Sequence, residues 1–252
     1  MYPANDHTPG GSSVMGLRLR RLGRRSYADA YALQESAARV VAGGGPDELL
    51  LVEHNAVITL GRGTTPEQLL ETRQSLAAAG ISVVRTDRGG GATYHGPGQL
   101  VGYPIIDLRR RQLGVRSYLR SLERALINSV RALGLEAFAR PGLTGVWTAG
   151  GKVAAIGIAV RRGITRHGFA LNVESDLDAF RRIVPCGLRQ PVTCLRDLGW
   201  TGRREELGAG VAAALRQALG AAHPQAQASP SPAAVRSAAR AWQWPEGSAA
   251  RG

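Results

Sequence analysis

Arg88-Gly-Gly-Gly-Ala-Thr-Tyr-His-Gly-Pro-Gly-Gln99 holds five glycines, a proline and a histidine in twelve residues. The run Ile81-Ser-Val-Val-Arg85 precedes it and the apolar run Leu100-Val-Gly-Tyr-Pro-Ile-Ile106 follows it. The stretch therefore reads as a bent, side-chain-poor segment between two strands. Glycine lets a backbone approach a ligand closely and permits dihedrals other residues avoid. Arg88, Thr93, Tyr94 and His95 add hydrogen-bonding groups that a plain linker does not need. Neither G-x-x-x-x-G-K-[ST] nor a helix-opening G-x-G-x-x-G is present, so the glycines do not establish a nucleotide site.

Outward from this stretch, the 252 residues suit one large domain or two small ones, and the 44% apolar fraction supports a core. No run of 18 apolar residues occurs, so no membrane span is expected. Met1 to Ser13 is polar and does not read as a secretory signal, which points to a cytoplasmic protein. The net charge of +13 favours acidic partners. Its arginines come in small groups with few aromatics between them, which argues against nucleic acid as the main partner. Of the 32 basic side chains one alone is a lysine, Lys152. A chain that uses arginine wherever charge suffices makes its single lysine a candidate for chemistry. Lysine gives up a proton when desolvated, and arginine effectively does not. Cys186 and Cys194 lie too close in sequence, in a cytoplasmic chain, for a structural disulfide to be expected. They lack a second Cys/His pair for zinc, so no metal or cofactor is expected.

Along the chain, residues 1–15 and 221–252 read as disordered. Leu17–Leu22 alternates like an edge strand. Ser26 caps a helix to about Val41, and Glu48–Glu53 and Ala56–Leu60 read as strands. His54, between those two strands, reads as a structural hydrogen-bonder. Thr65-Pro-Glu starts a helix expected to run to Ala79, and a long amphipathic helix follows over Val115–Leu133. Leu135–Phe138 reads as a short strand. Lys152–Val160 and Ile164–Val173 form a hairpin with Gly163 at positive φ. Its first strand is unusually small at Ala154, Ala155, Gly157 and Ala159. That leaves room for something to lie on the sheet, or for a helix to pack closely. Asp176 caps a short helix over Leu177–Ile183, and Glu205–Leu219 is the last helix.

Cys186 sits in a Pro-Cys-Gly break, where a thiol is open to ligands. A thiolate is the nucleophile, and a nearby cation favours it. Cys194, in an apolar context, reads as core. Together, Arg88–Gln99, Gly151-Lys-Val-Ala-Ala-Ile-Gly157, His167-Gly-Phe-Ala-Leu-Asn172 and Val184-Pro-Cys-Gly187 resemble the octanoyltransferases of lipoate synthesis, also called lipoyl(octanoyl) transferases. The four motifs stand in the family's order, and the resemblance spans about residues 16–220.

The resemblance implies a mixed α/β domain, with β-sheets flanked by helices, of the biotin/lipoate protein-ligase class. It implies octanoyl-acyl carrier protein as donor. The implied acceptor is a lysine of the lipoyl domains of 2-oxoacid dehydrogenases or of the glycine cleavage H protein. Cys186 matches the acyl-thioester nucleophile, and Lys152 the residue that lowers its pKa and assists proton transfer. Arg88, Gly89, Gly90, Gly91, Ala92, Thr93, Tyr94 and His95 match substrate-binding segments, as do Ala155, Ile156 and Gly157, and Gly168, Phe169 and Ala170. Two rivals remain. An ATP-dependent lipoate–protein ligase shares the fold, the glycines and a lysine, but the Pro-Cys-Gly cysteine and His-Gly-Pro-Gly-Gln argue for the transferase. A non-catalytic arginine-rich binding protein would tolerate Lys152→Arg.

Overall fold

The computed structural model describes residues 16–184 and 191–220. The readings made above for residues 1–15 and 221–252, and the reading of Cys186, lie outside the described residues. Among the described residues, ten strands form two sheets. The large sheet contains β1 (Leu17–Arg25), β2 (Asp47–His54), β6 (Gln99–Ile105), β7 (Phe138–Arg140), β8 (Leu143–Thr148), β9 (Gly151–Arg161) and β10 (Ile164–Asn172). Its order is β1-β2-β6-β10-β9-β8-β7, antiparallel except for the β1–β2 pair. The small sheet has the order β4-β3-β5, from β4 (Ser82–Arg85), β3 (Val57–Leu60) and β5 (Ala92–His95).

Alternation along β2 shows how the large sheet is covered on both faces. Leu49 and Leu51 join the core under α3 (Val115–Arg131) and α4 (Arg204–Gly220), while Leu50 and Val52 join the core under α1 (Tyr27–Ala42). A strand buried on both faces reads as a continuous apolar run, as Leu49–Val52 does. The apolar stripe of α3 places Leu122, Leu126 and Val130 fully inside. Each such leucine contributes roughly 2 kcal/mol by leaving water. Ser26 caps α1 as expected, its hydroxyl accepting from the Asp29 amide at 3.1 Å.

Four local expectations change. The glycine-rich stretch is not bent throughout, because Ala92–His95 is β5 and pairs with β3. The helix from Thr65 breaks into a short 3₁₀ turn, Pro66–Gln68, and α2 (Arg73–Ala78). Leu69 bridges Ile183, the Leu70 amide donates to Arg182 O, and Thr72 caps the new helix. Tertiary pairing here outweighs local helix propensity. The strand expected over Leu135–Phe138 begins only at Phe138. In the β9–β10 hairpin both Arg162 and Gly163 have positive φ, the pattern a two-residue turn of matching twist requires. The helix expected over Leu177–Ile183 is the 3₁₀ turn Asp178–Arg182, with the Asp178 amide donating to Asp176.

Candidate functional site

A cleft enclosing about 520 Å³, its mouth included, opens where the glycine-rich stretch faces β9 and β10. It brings together Lys152, Arg88, Gly89, Gly90, Thr93, His95, Ala155, Ile156, Gly157, Gly168, Phe169 and Ala170. Three expected residues stand elsewhere. Side chains alternate along β5, so Thr93 and His95 face the cleft while Ala92 and Tyr94 turn into the core of the small sheet. Tyr94 packs edge-on to Phe180 at 5.5 Å between ring centroids. Gly91 presses against Gln68, whose amide oxygen would lie 2.1 Å from an added Cβ.

Of the small residues of β9, Gly157 makes room for the glycine-rich backbone itself, while Ala154 joins the core under the helices. The Gly89 amide donates to Ile158 O at 2.8 Å, and a Cβ on Gly157 would lie 3.1 Å from Gly89 O. That close approach joins the two walls of the cleft. It also occupies one amide of the stretch, and the Ala92 amide is taken by Gln68 Oε1 at 2.9 Å. Neither is available to stabilise an oxyanion.

Lys152 is half-buried on β9. Its Nζ lies 5.3 Å from the centroid of the Trp147 ring. Gly145 clears the space for its stem, because a Cβ there would meet Lys152 Cε at 2.5 Å. The backbone of Lys152 is held on its free side by the chain that follows the Cys186 segment. The Lys152 amide donates to Pro191 O at 2.8 Å, and the Thr193 amide donates back to Lys152 O at 3.1 Å. On the near side of that segment the Val184 amide donates to Gln68 O at 2.9 Å. Cys194 is buried, as expected, and burial raises its thiol pKa.

Arg88 turns its guanidinium inward, donating from Nε and Nη2 to Thr59 Oγ1 at 3.2 and 2.8 Å and to Thr59 O at 2.6 Å. Thr59 Oγ1 also meets His95 Nε2 at 3.3 Å, and His95 Nδ1 meets Gln99 Oε1 at 3.1 Å. The amide oxygen can only accept, so Nδ1 carries the proton. Burial, with His54 and Arg88 nearby, holds the His95 pKa well below its ordinary value, and the ring is neutral.

Sequence reasoning missed the polar floor of the cleft: Tyr27, Tyr103 and His167. His54 Nδ1 donates to Arg25 O at 3.3 Å, so its Nε2 accepts from Tyr103 Oη at 2.7 Å, and His54 is a structural hydrogen-bonder as expected. Burial lowers the His54 pKa to about 4 and raises that of Tyr27 to about 12. His167 Nε2 meets Asp87 Oδ1 at 2.7 Å, and its φ of 55° lies in the left-handed region that few non-glycine residues adopt. Burial lowers the His167 pKa despite Asp87. For Asp87 burial works upward, but the His167 bond and Arg166 together prevail and hold the carboxyl below its usual range. Only the quoted His167 motif hinted at this floor, since its other members lie far apart in sequence. A second cleft, at the ends of β1, β2 and β6, is lined by Arg24, Glu53 and Arg204, and Glu53 pairs with both arginines. Among the described residues no group of three His, Cys, Asp or Glu side chains could hold a metal ion. Among them, too, no helix is long and apolar enough to cross a membrane.

The family model of the lipoyl protein ligase A/B catalytic domain matches residues 26–216. The chain belongs to this family. A member from Solibacter usitatus, named octanoyltransferase, is 51% identical over 191 residues, covering 75% of this chain and 87% of that protein. Among solved structures, a bi-partite lipoate protein ligase from Thermoplasma acidophilum, studied with its E2 lipoyl domain, aligns at a TM-score of 0.63 and 20% identity. It covers 86% of this chain and 88% of its own. A biotin protein ligase from Aquifex aeolicus aligns at 0.50 and 13% identity, over 81% of this chain and 70% of its own. These two likenesses speak for the fold, the lipoate and biotin ligase class of the family. The glycine-rich stretch, β9 and β10, which line the cleft, all fall inside the matched region.

Proposed function

We infer that this chain is an octanoyltransferase of protein lipoylation, an acyltransferase whose acceptor is a lysine of a lipoyl domain. The observation that carries the reading is the 51% identity to a curated octanoyltransferase over three quarters of the chain. The finer reading is that residues 16–220 form the catalytic domain and that the donor is octanoyl-acyl carrier protein. The glycine cleavage H protein is among the acceptors, and the reaction runs in the cytoplasm.

In the proposed chemistry the Cys186 thiolate attacks the donor's thioester carbonyl. A new C–S bond forms, the old one breaks, and the carrier thiol leaves. One thioester replaces another, so this step is nearly balanced. The acceptor amine then attacks the Cys186 thioester, an amide forms, and the thiolate is released. The amine loses a proton in this step, and Lys152 is the group assigned to move it. Aminolysis to an amide is downhill, and no nucleotide is required.

The chain path supports this assignment. Val184, two residues before Cys186, is bonded to Gln68, which also holds the Ala92 amide of the glycine-rich wall. Pro191, five residues after it, is bonded to Lys152. Two residues reach at most about 7 Å. The small side chain of Ala155 and the apolar Val101, Ile156 and Phe169 suit an acyl chain. The test is transfer from octanoyl-carrier protein to a lipoyl domain in ATP-free buffer. The expected result is amide formation in the wild type and its loss in Cys186→Ser. A requirement for ATP, as for a ligase, or full activity in Cys186→Ser contradicts the reading.

A further inference from the structure

The two walls of the cleft are tied together below their surface by a buried pair of side-chain amides, Gln99 and Asn172, to which nothing above gives a role. Gln99 Oε1 accepts from His95 Nδ1 at 3.1 Å on the glycine-rich wall. Gln99 Nε2 spends both protons, one on Tyr94 O at 3.0 Å and one on Asn172 Oδ1 at 3.0 Å. Asn172 Nδ2 donates to Thr193 O at 3.0 Å, and the Thr193 amide donates to Lys152 O at 3.1 Å. The chain of bonds thus runs from a cleft-facing histidine to the backbone of the lysine on the opposite wall.

Each member has its partners, and the carbonyls of Tyr94 and Thr193 dictate which way both amides point. A network this buried, with Gln99 1% and Asn172 4% exposed, admits one arrangement, since any slip strands a polar group without water. The segment it grips, Pro191–Thr193, pairs as a parallel bridge with Lys152 and touches its backbone on both sides.

We propose that Gln99 and Asn172 are positioning residues that fix Lys152 relative to the glycine-rich wall. This inference rests on the assignment of proton transfer to Lys152 made above. The effect of Asn172 passes through Thr193 and falls on the rate of the chemical step, whereas Gln99 acts through Asn172 and also holds His95 on the cleft wall.

The test is the steady-state kinetics of octanoyl transfer by the full chain carrying Asn172→Leu, Gln99→Met, or both. Each is assayed well below its own melting temperature, with folding checked by circular dichroism. A misplacement of about 1 Å at a reacting group costs on the order of 100-fold in rate. The expected result is a kcat loss of about that size in either single variant, with KM for the octanoyl-carrier protein near that of the wild type in Asn172→Leu, which leaves His95 its partner. The double variant should lose no more than either single one, because both remove one network. Asn172→Asp keeps the acceptor for Gln99 but faces the Thr193 carbonyl with a lone pair, and should also lose kcat. Folded single variants with unchanged kcat overturn the proposal, as do losses that multiply in the double variant or appear in KM alone. Lys152→Arg runs alongside: if it retains full activity the underlying assignment fails, whereas wild-type kcat in Asn172→Leu alone sinks only this inference.

Discussion

Strand β5 shows two neighbouring surfaces built from one four-residue run. Thr93 and His95 look into the cleft, and Ala92 and Tyr94 look into the core of the small sheet with Ile58, Leu76 and Phe180. The residues alternate in sequence, yet one pair touches the space where substrate is expected and the other holds a sheet together. Proximity in a motif is therefore a poor guide to role. On the proposed function, the pleat divides a glycine-rich signature into residues whose loss is expected to cost activity and residues whose loss is expected to cost stability.

The sharpest way to break this comparison is on the cleft side. Lys152→Arg keeps the charge but removes a group that can cycle a proton. Octanoyl transfer should fall by about 10³-fold, within the range for general acid–base groups, with little change in melting temperature. Retained transfer would take the proton-transfer role away from Lys152. On the core side, Tyr94→Ala should lower unfolding free energy by about 3–4 kcal/mol in urea titration, as removal of a buried aromatic does. The folded fraction should keep most of its specific activity. A large kcat loss without destabilisation would return Tyr94 to the site.

The polar floor sharpens the comparison a third way, because it lines the cleft but is buried like core. His54, bonded to Tyr103 beneath that floor, has its folded pKa lowered from 6.5 to about 4. Between those values the unfolded chain binds more protons than the folded one. Its contribution is therefore complete above pH 6.5 and is lost as pH falls towards 4. The loss attached to this residue is on the order of 3 kcal/mol. Urea titrations from pH 7.5 to 4 should show at least that slope, and His54→Phe should reduce it while the share of His95 and His167, lowered by burial too, remains. The smallest effect is expected at the seam between the walls. Gly157→Ala places a methyl 3.1 Å from Gly89 O and 3.3 Å from Arg88 Cδ. The glycine-rich wall must shift by a few tenths of an ångström, and kcat/KM should fall roughly fivefold, about 1 kcal/mol.

Much of the candidate site was legible because its markers are compositional. Lys152 stood out by arithmetic, and the glycines and alanines of β9 by their lack of bulk. Periodicity located α1, α3, α4 and the β9–β10 hairpin because each carries its signal in its own local spacing, even where its packing partner is distant in sequence. What stayed hidden depended on distant pairing. Leu69 breaks a helix because Ile183 lies beside it, more than a hundred residues on. Tyr103 and His54, or Gln99 and Asn172, meet only once the large sheet is assembled. Gly145 was visible as a glycine near a strand, but its purpose, room for the stem of Lys152, required the register of β8 on β9.

The central claim is that one thiol of this chain carries the acyl group between donor and acceptor. Its most direct test is intact-protein mass spectrometry after incubation with octanoyl-acyl carrier protein in the absence of any acceptor, followed by peptide mapping. The account predicts the added mass of one octanoyl group on the peptide containing Cys186, absent in Cys186→Ala and discharged when a lipoyl domain is added. Unmodified protein that still transfers octanoyl groups, or an adduct on Cys194 in place of Cys186, would contradict it.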